Sequence, residues 1–121
     1  MMDAYRHLAS LYEEWRLMSE SEGDAIRSLA WQRIEHCQSA KAGLRERIVG
    51  IVEKAGGGQN FAEDLGRRFR PVLEHLINLE LRNSEWLAVE RQKLESEREG
   101  LNRDQRSIRQ LQGTYGVAGA L

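Results

Sequence analysis

Residues 71–115 read PVLEHLINLELRNSEWLAVERQKLESEREGLNRDQRSIRQLQGTY, and this stretch decides the fold class. Between Pro71 and Gln112 the only glycine is Gly100, and Pro71 is the one proline of the chain. Leu73, Leu87, Leu94, Leu101, Ile108 and Tyr115 recur at a seven-residue spacing, interrupted by Glu80. Seven residues are nearly two α-helical turns, so these side chains fall on one stripe of a helix. Such a helix spans on the order of 65 Å at ~1.5 Å per residue, more than the width of a small domain.

The two halves of this helix differ. The first is richly apolar (Val72, Leu73, Leu76, Ile77, Leu79, Leu81, Trp86, Leu87, Val89) and belongs in a core with the helices before it. The second, Glu90 to Arg109, is polar apart from Leu94, Leu101 and Ile108. One apolar residue per heptad is too thin a stripe to hold a helix in water unaided. Something else is expected to cover it, either an amphipathic helix of another protein or the same stripe of a second copy.

Outward from this stretch the chain reads as helix throughout. Ala4, Leu8, Leu11, Trp15, Met18, Glu22, Ala25 and Leu29 alternate at spacings of four and three, a coiled-coil seam with one acidic lapse, so a first helix is expected from about Asp3 to Arg27. Gly23 weakens it without ending it, at a cost of ~1 kcal/mol. A second helix is expected from Trp31 to about Lys54, with Trp31, Ile34, Cys37, Leu44, Ile48, Val49, Ile51 and Val52 as its apolar positions. A break near Ser28 to Ala30 and a continuous first helix through this point are both compatible with the periodicity. Three consecutive glycines, Gly56 to Gly58, are a turn signal. Asn60 and Glu63 then resemble a capping box. A short helix from Phe61 to about Arg68 and a long one from Pro71 to about Gln112 follow, since proline suits a first turn. The alternative is one helix from Phe61, kinked at Pro71. Residues 113–121, rich in glycine and alanine, are expected to be a flexible tail. The whole is expected to be one all-α domain, an antiparallel three-helix bundle or coiled coil with one long C-terminal helix.

Composition narrows the function classes. Charged residues make up 31% of the 121 residues, aromatics 7%, and the net charge is −1, so no global attraction draws the chain to nucleic acid or to anionic lipid. One cysteine, Cys37, allows no intrachain disulfide. No apolar run resembles a signal peptide or approaches the ~20 residues that span a bilayer. A soluble cytoplasmic protein is expected.

Chemistry-bearing patterns are weak. Gly56 to Gly58 lack the Lys-Ser/Thr of a phosphate loop, and no strand precedes them. His7, His36 and His75 have no helical metal spacing beyond nearby carboxylates, and adjacent His36 and Cys37 point apart. Glu13, Glu14, Glu20 and Glu22 alternate with Arg and Ser on what reads as a wet face, so no paired general acid is implied. No catalytic residue, metal ligand or cofactor is expected, and the chain does not read as an enzyme. Asn83 stands out because the apolar stripe passes it between Leu79 and Leu87. A buried Asn in a helical seam sets register and partner choice, whereas a surface Asn does neither. Trp15, Trp31 and Trp86, one per main helix, are expected to anchor a shared core layer.

The order of features resembles a known family. A first amphipathic helix leads to Asp24-Ala25-Ile26-Arg27 and Trp31-Gln32-Arg33-Ile34. A basic segment from Lys41 to Arg47 and a glycine break follow. Leu76-Ile77-Asn78-Leu79-Glu80-Leu81-Arg82-Asn83 then opens a long arm ending Leu111-Gln112-Gly113-Thr114-Tyr115-Gly116. This resembles the flagellar type III export chaperones of the FlgN and FliT kind. The resemblance implies a cytoplasmic chaperone that keeps a secreted hook–filament junction or cap subunit soluble and delivers it to the export machinery, without a cofactor. It implies a grip through the C-terminal amphipathic helix. The candidate partner-binding residues are Leu87, Leu94, Leu101, Ile108, Leu111 and Tyr115, with Tyr115 facing the export machinery and Asn83 setting register or specificity. The competing expectation is a homodimeric or homo-oligomeric coiled-coil scaffold with no client.

Overall fold

The computed structural model describes residues 2–56 and 59–120, with side chains described for 3–56 and 60–114. The described residues are all-helical, in three elements: α1 (Met2–Arg27), α2 (Trp31–Lys54) and α3 (Gln59–Ala120). None of these helices is long and apolar enough to cross a membrane. The chain divides into two compact units, residues 1–87 and 88–121, so α3 contributes to both.

The turn between α1 and α2 is a true break. The Ala30 N–H donates to the Ala25 carbonyl at 2.8 Å and the Leu29 N–H to the Ile26 carbonyl at 3.1 Å. Leu29 between them has φ 55°. This is the Schellman closure of a helix, with leucine in the left-handed position where glycine is usual. Leu29 is accordingly 46% exposed and does not join the seam counted for α1.

Two expected boundaries are corrected. The separate helices expected over 61–68 and 71–112 are one helix, α3, with Pro71 inside it. Proline removes the hydrogen bond to the Arg67 carbonyl, but Arg67 and Pro71 both lie on the exposed face, where water replaces the missing donor. Before the proline, Phe61 and Phe69 are buried against α1 through Tyr5 and Tyr12, with ring centroids 5.7 Å apart for Tyr5–Phe61 and 5.1 Å for Tyr12–Phe69, and after it Leu76 and Leu79 join Phe69, Leu8 and Tyr12 in one cluster. The end expected at Gln112 is also absent, since α3 runs on to Ala120. No proline interrupts residues 113–120, and isolated glycines weaken a helix without stopping it. α3 begins at Gln59, so Asn60 lies in its first turn instead of at the cap. Gly56 closes α2 with φ 96°, a value open to glycine; Gly57 and Gly58 lie outside the described residues.

Within the first unit the seams are read directly from burial. α1 buries Leu8, Leu11, Tyr12, Ser19, Glu22, Ala25 and Ile26, and α2 buries Ile34, Cys37, Lys41 and Leu44. α3 buries Phe61, Phe69, Leu76, Leu79 and Asn83. Hydrogen-bonded pairs rise together along α1 and α3, from Tyr5–Asp64 at 2.6 Å to Ser19–Glu80 at 2.6 Å. Pairs between α1 and α2 run in opposite order, with Ser21 against Arg33 at 3.3 Å and Glu14 against Arg47 at 3.7 Å.

The apolar core is split in two. One cluster joins Leu8, Tyr12, Phe69, Leu76 and Leu79, with Trp15, Ile48, Ile51 and Leu73 packed against it. The other joins Ala25, Ile26 and Ile34, with Ala30, Trp86 and Leu87 at its edge. The three tryptophans do not share a layer: Trp15 and Trp86 sit on different clusters, and Trp31 is 39% exposed.

Candidate functional site: a polar layer and an exposed stripe

Between the two apolar clusters each helix places charged or polar residues in its seam: Glu22 from α1, Lys41 from α2, Glu80 and Asn83 from α3. Lys41 Nζ donates to Glu22 Oε1 at 3.0 Å and to the two Glu80 oxygens at 2.9 and 2.8 Å. Its three donors are thereby used. Asn83 Nδ2 donates to the Ser19 carbonyl at 2.7 Å and to Glu22 Oε1 at 3.0 Å. Ser19 Oγ and Trp15 Nε1 donate to Glu80 Oε1 at 2.6 and 3.1 Å. Side chains of Lys41 and Glu22 are 7% and 4% exposed, and Asn83 as a residue 2%. Glu22 Oε2 is buried with no hydrogen-bond partner among the described residues.

Burial pushes the Glu80 carboxyl up, but hydrogen bonds from Lys41 and Ser19, the Lys41 charge and the Trp15 indole together hold it below its ordinary value of 4.5. The layer holds together because each helix supplies one part of a mutual set of partners.

Gly23 is part of this arrangement. A Cβ there would lie 2.6 Å from Arg82 Nη2, 3.0 Å from Asn83 Oδ1 and 3.2 Å from Trp86 Cζ3. The glycine that weakens α1 as an isolated helix lets α3 approach it closely. Arg27 and Arg82 then flank the Trp86 ring, their Cζ atoms 4.0 and 4.3 Å from its centroid.

The sequence singles out Asn83, treats Glu22 and Glu80 as lapses in apolar stripes and misses Lys41; it also counts Glu22 with the acids of a wet face, which is corrected, since Glu22 is buried. The signal was a gap. The apolar positions of α2 step from Cys37 to Leu44, and the skipped seam position is Lys41. Three seams interrupted at one level, with charges that offset one another, mark a polar layer.

The stripe residues divide between the two units. Leu87 is half-buried and packs at the edge of the Ala25, Ile26 and Ile34 cluster. In the second unit Leu94, Leu101, Ile108 and Leu111 are 45%, 63%, 53% and 55% exposed. The Tyr115 side chain lies outside the described residues. Along the helix surface an acidic row, Glu90, Glu97 and Asp104, flanks Leu94, Leu101 and Ile108 on one side and continues into Leu111. Arg91 and Arg98 flank the same three residues on the other. Among the described residues no group of three or more His, Cys, Asp and Glu side chains is placed to hold a metal ion.

No family model, curated protein or solved structure matches the chain.

Proposed function

We propose that the protein is a cytoplasmic export chaperone, whose first 87 residues form an antiparallel three-helix bundle and whose residues beyond them bind a secreted flagellar or type III subunit. The observation that carries this reading is the row Leu94, Leu101, Ile108 and Leu111, each about half exposed on one helix. A client's amphipathic helix laid along this row would remove both apolar surfaces from water. One apolar residue per heptad gives a modest grip, which suits a client that must be released. The resemblance of the Leu76–Asn83 and Leu111–Gly116 segments to export chaperones supplies the client class, a hook–filament junction or cap subunit, and assigns Tyr115 to the export machinery. Asn83, with Glu80 and Lys41, fixes the register of the bundle.

The second reading is a homo-oligomeric helical scaffold. The flanking rows favour it in one respect: two copies of this helix facing each other in parallel would set each acidic row against a basic one. The double variant Leu101→Asp/Ile108→Asp separates the two. Under the chaperone reading, co-purification with a co-expressed junction or cap subunit is lost, while the oligomeric state and the fluorescence-detected unfolding of the first unit stay unchanged. A change in molar mass on dilution, abolished by the same variant, with no subunit captured by the wild type, would replace the chaperone with the scaffold.

A further inference from the structure

We infer that the helical arm beyond residue 87 accepts an amphipathic helix with one basic and one acidic row, and that the placing of those rows sets the direction in which the bound helix runs. This deepens the chaperone reading and rests on it, since the same face is concerned. Leu94, Leu101 and Ile108 lie one heptad apart and are exposed. On a heptad helix the residues three and four places after an apolar one lie roughly 50° to either side of it. Glu97 and Arg98 hold these two places after Leu94, and Glu90 and Arg91 hold them after Leu87. Asp104 continues the acidic row after Leu101. Among the described residues of this unit the one ion pair joins Glu90 to Lys93 at 3.2 Å, so Arg91, Glu97, Arg98 and Asp104 are exposed and unpaired among them.

Single unpaired surface charges are ordinary. The arrangement selects the occupant, because like signs are gathered into rows and opposite signs stand across the apolar row at one level. A helix with two acidic rows meets Glu97 and Asp104 with like charge, and one with two basic rows meets Arg91 and Arg98. A helix with one row of each sign satisfies both sides. An anionic lipid or nucleic-acid surface meets the acidic row. Direction follows from geometry. In a parallel pair, the row three places after the apolar residues of one helix faces the row four places after those of the other; in an antiparallel pair, corresponding rows face each other. A parallel partner therefore carries anions three places and cations four places after each apolar residue, and an antiparallel partner carries them exchanged. Toward the end of the arm the code fades, since Gln105 and Gln112 are neutral and Leu111 stands where an acid would. Ile108 and Leu111, 53% and 55% exposed, form a wider apolar patch there. The direction is read at the level of Glu90 to Arg98, and the grip is strongest near Leu111.

The probes are three capped four-heptad peptides with the same leucine row, added to the full chain. One is coded for parallel pairing, one has its two charged rows exchanged, and one has glutamate in both rows. Fluorescence anisotropy of a labelled peptide gives the affinity. Both mixed peptides should bind about tenfold more tightly than the all-glutamate peptide at low salt. The gap should close at about 1 M salt, where the Debye length is ~3 Å. A nitroxide at the peptide C-terminus should broaden the Gly113 amide resonance for the parallel-coded peptide and not for the exchanged one. Glu97→Arg/Arg98→Glu reverses the code at one level without changing composition, and should weaken both mixed peptides about fivefold. Glu99→Arg/Arg103→Glu, the same exchange on the outer face, should weaken neither. Equal affinity for the three peptides, or Gly113 broadening that ignores the coding, overturns the directional proposal alone if binding still needs Leu101 and Ile108. No binding of any peptide at about 1 mM overturns it together with the docking face. Self-association of the chain that no peptide displaces would make a second copy the occupant and overturn it as well.

Discussion

Lys41→Met removes the ammonium from the polar layer while keeping most of the side-chain volume. Its cost follows from the exposure of the partners. Glu22 is 4% exposed at its side chain and would keep a single donor, Asn83 Nδ2, with one oxygen already unpaired. Removing one member of a buried pair in this state costs ~3–5 kcal/mol. Glu80, whose side chain is 37% exposed, turns to water and adds little. With a urea slope of about 1.5–2 kcal/mol per molar, the midpoint should fall by about 2–3 M. Tryptophan fluorescence is the assay of choice, because Trp15, Trp31 and Trp86 all lie within the first unit and report its unfolding alone. The double variant Lys41→Met/Glu22→Gln leaves a neutral amide that still accepts from Asn83, and should recover about 2 kcal/mol of the loss. A midpoint shift under about 0.5 M for Lys41→Met, or strict additivity in the double variant, would refute the claim that these charges are coupled and buried.

Three further outcomes are expected. Gly23→Ala, which gains ~1 kcal/mol in an ordinary helix interior, should instead lower stability by about 1–3 kcal/mol in the same urea assay, because the new Cβ crowds Asn83, which is buried and cannot shift without straining its bonds to Ser19 and Glu22. Leu29→Gly relieves the left-handed backbone at a half-exposed position and should raise stability by about 1 kcal/mol, a Tm increase of roughly 4 °C by calorimetry. The depressed Glu80 carboxyl gives the acid limb its sign. Its contribution is complete above the ordinary value of 4.5 and is lost as the pH falls through the lower folded-state value. Tm should therefore be level from neutrality to about pH 5 and then fall, with a shallower fall in Glu80→Gln.

How much of this was legible in the sequence depends on which residues carried the signal. Helix content followed from spacing alone, because Leu8 and Leu11 in α1 or Leu76 and Leu79 in α3 are buried where a 3.6-residue period puts them. The turn after Arg27 was ambiguous because its device is a leucine in a glycine position, which no local rule flags. Pro71 misled because a proline on the wet face of a long helix and a proline at a first turn look alike until the packing of Phe61 and Phe69 is known. The polar layer was half visible. Glu22, Glu80 and Asn83 each broke a pattern, but interruptions on separate helices show as one feature only when the helices are brought to a common level. The exposure of Leu94, Leu101 and Ile108 was legible because Glu90 to Arg109 holds no other apolar residue with which to build a core face.

The heptad pattern of α3 gives the polar layer its importance. From Leu73 to Ile108 the stripe repeats so evenly that a slip of seven residues changes this row little. Apolar packing along the row alone discriminates poorly between such registers. The exception on the row is Glu80, with Asn83 beside it one turn on. A slip of one heptad would place Leu73 or Leu87 beside Lys41 and carry Glu80 and Asn83 into an apolar cluster, stripping three charged groups of their partners at several kcal/mol each. The polar layer thus contributes little net stability of its own and makes every neighbouring register costly. Which stripe leucines stay exposed is then tied to where Glu80 stands. With Glu80 bonded to Lys41, Leu87 packs at the edge of the Ala25, Ile26 and Ile34 cluster, and Leu94 is exposed.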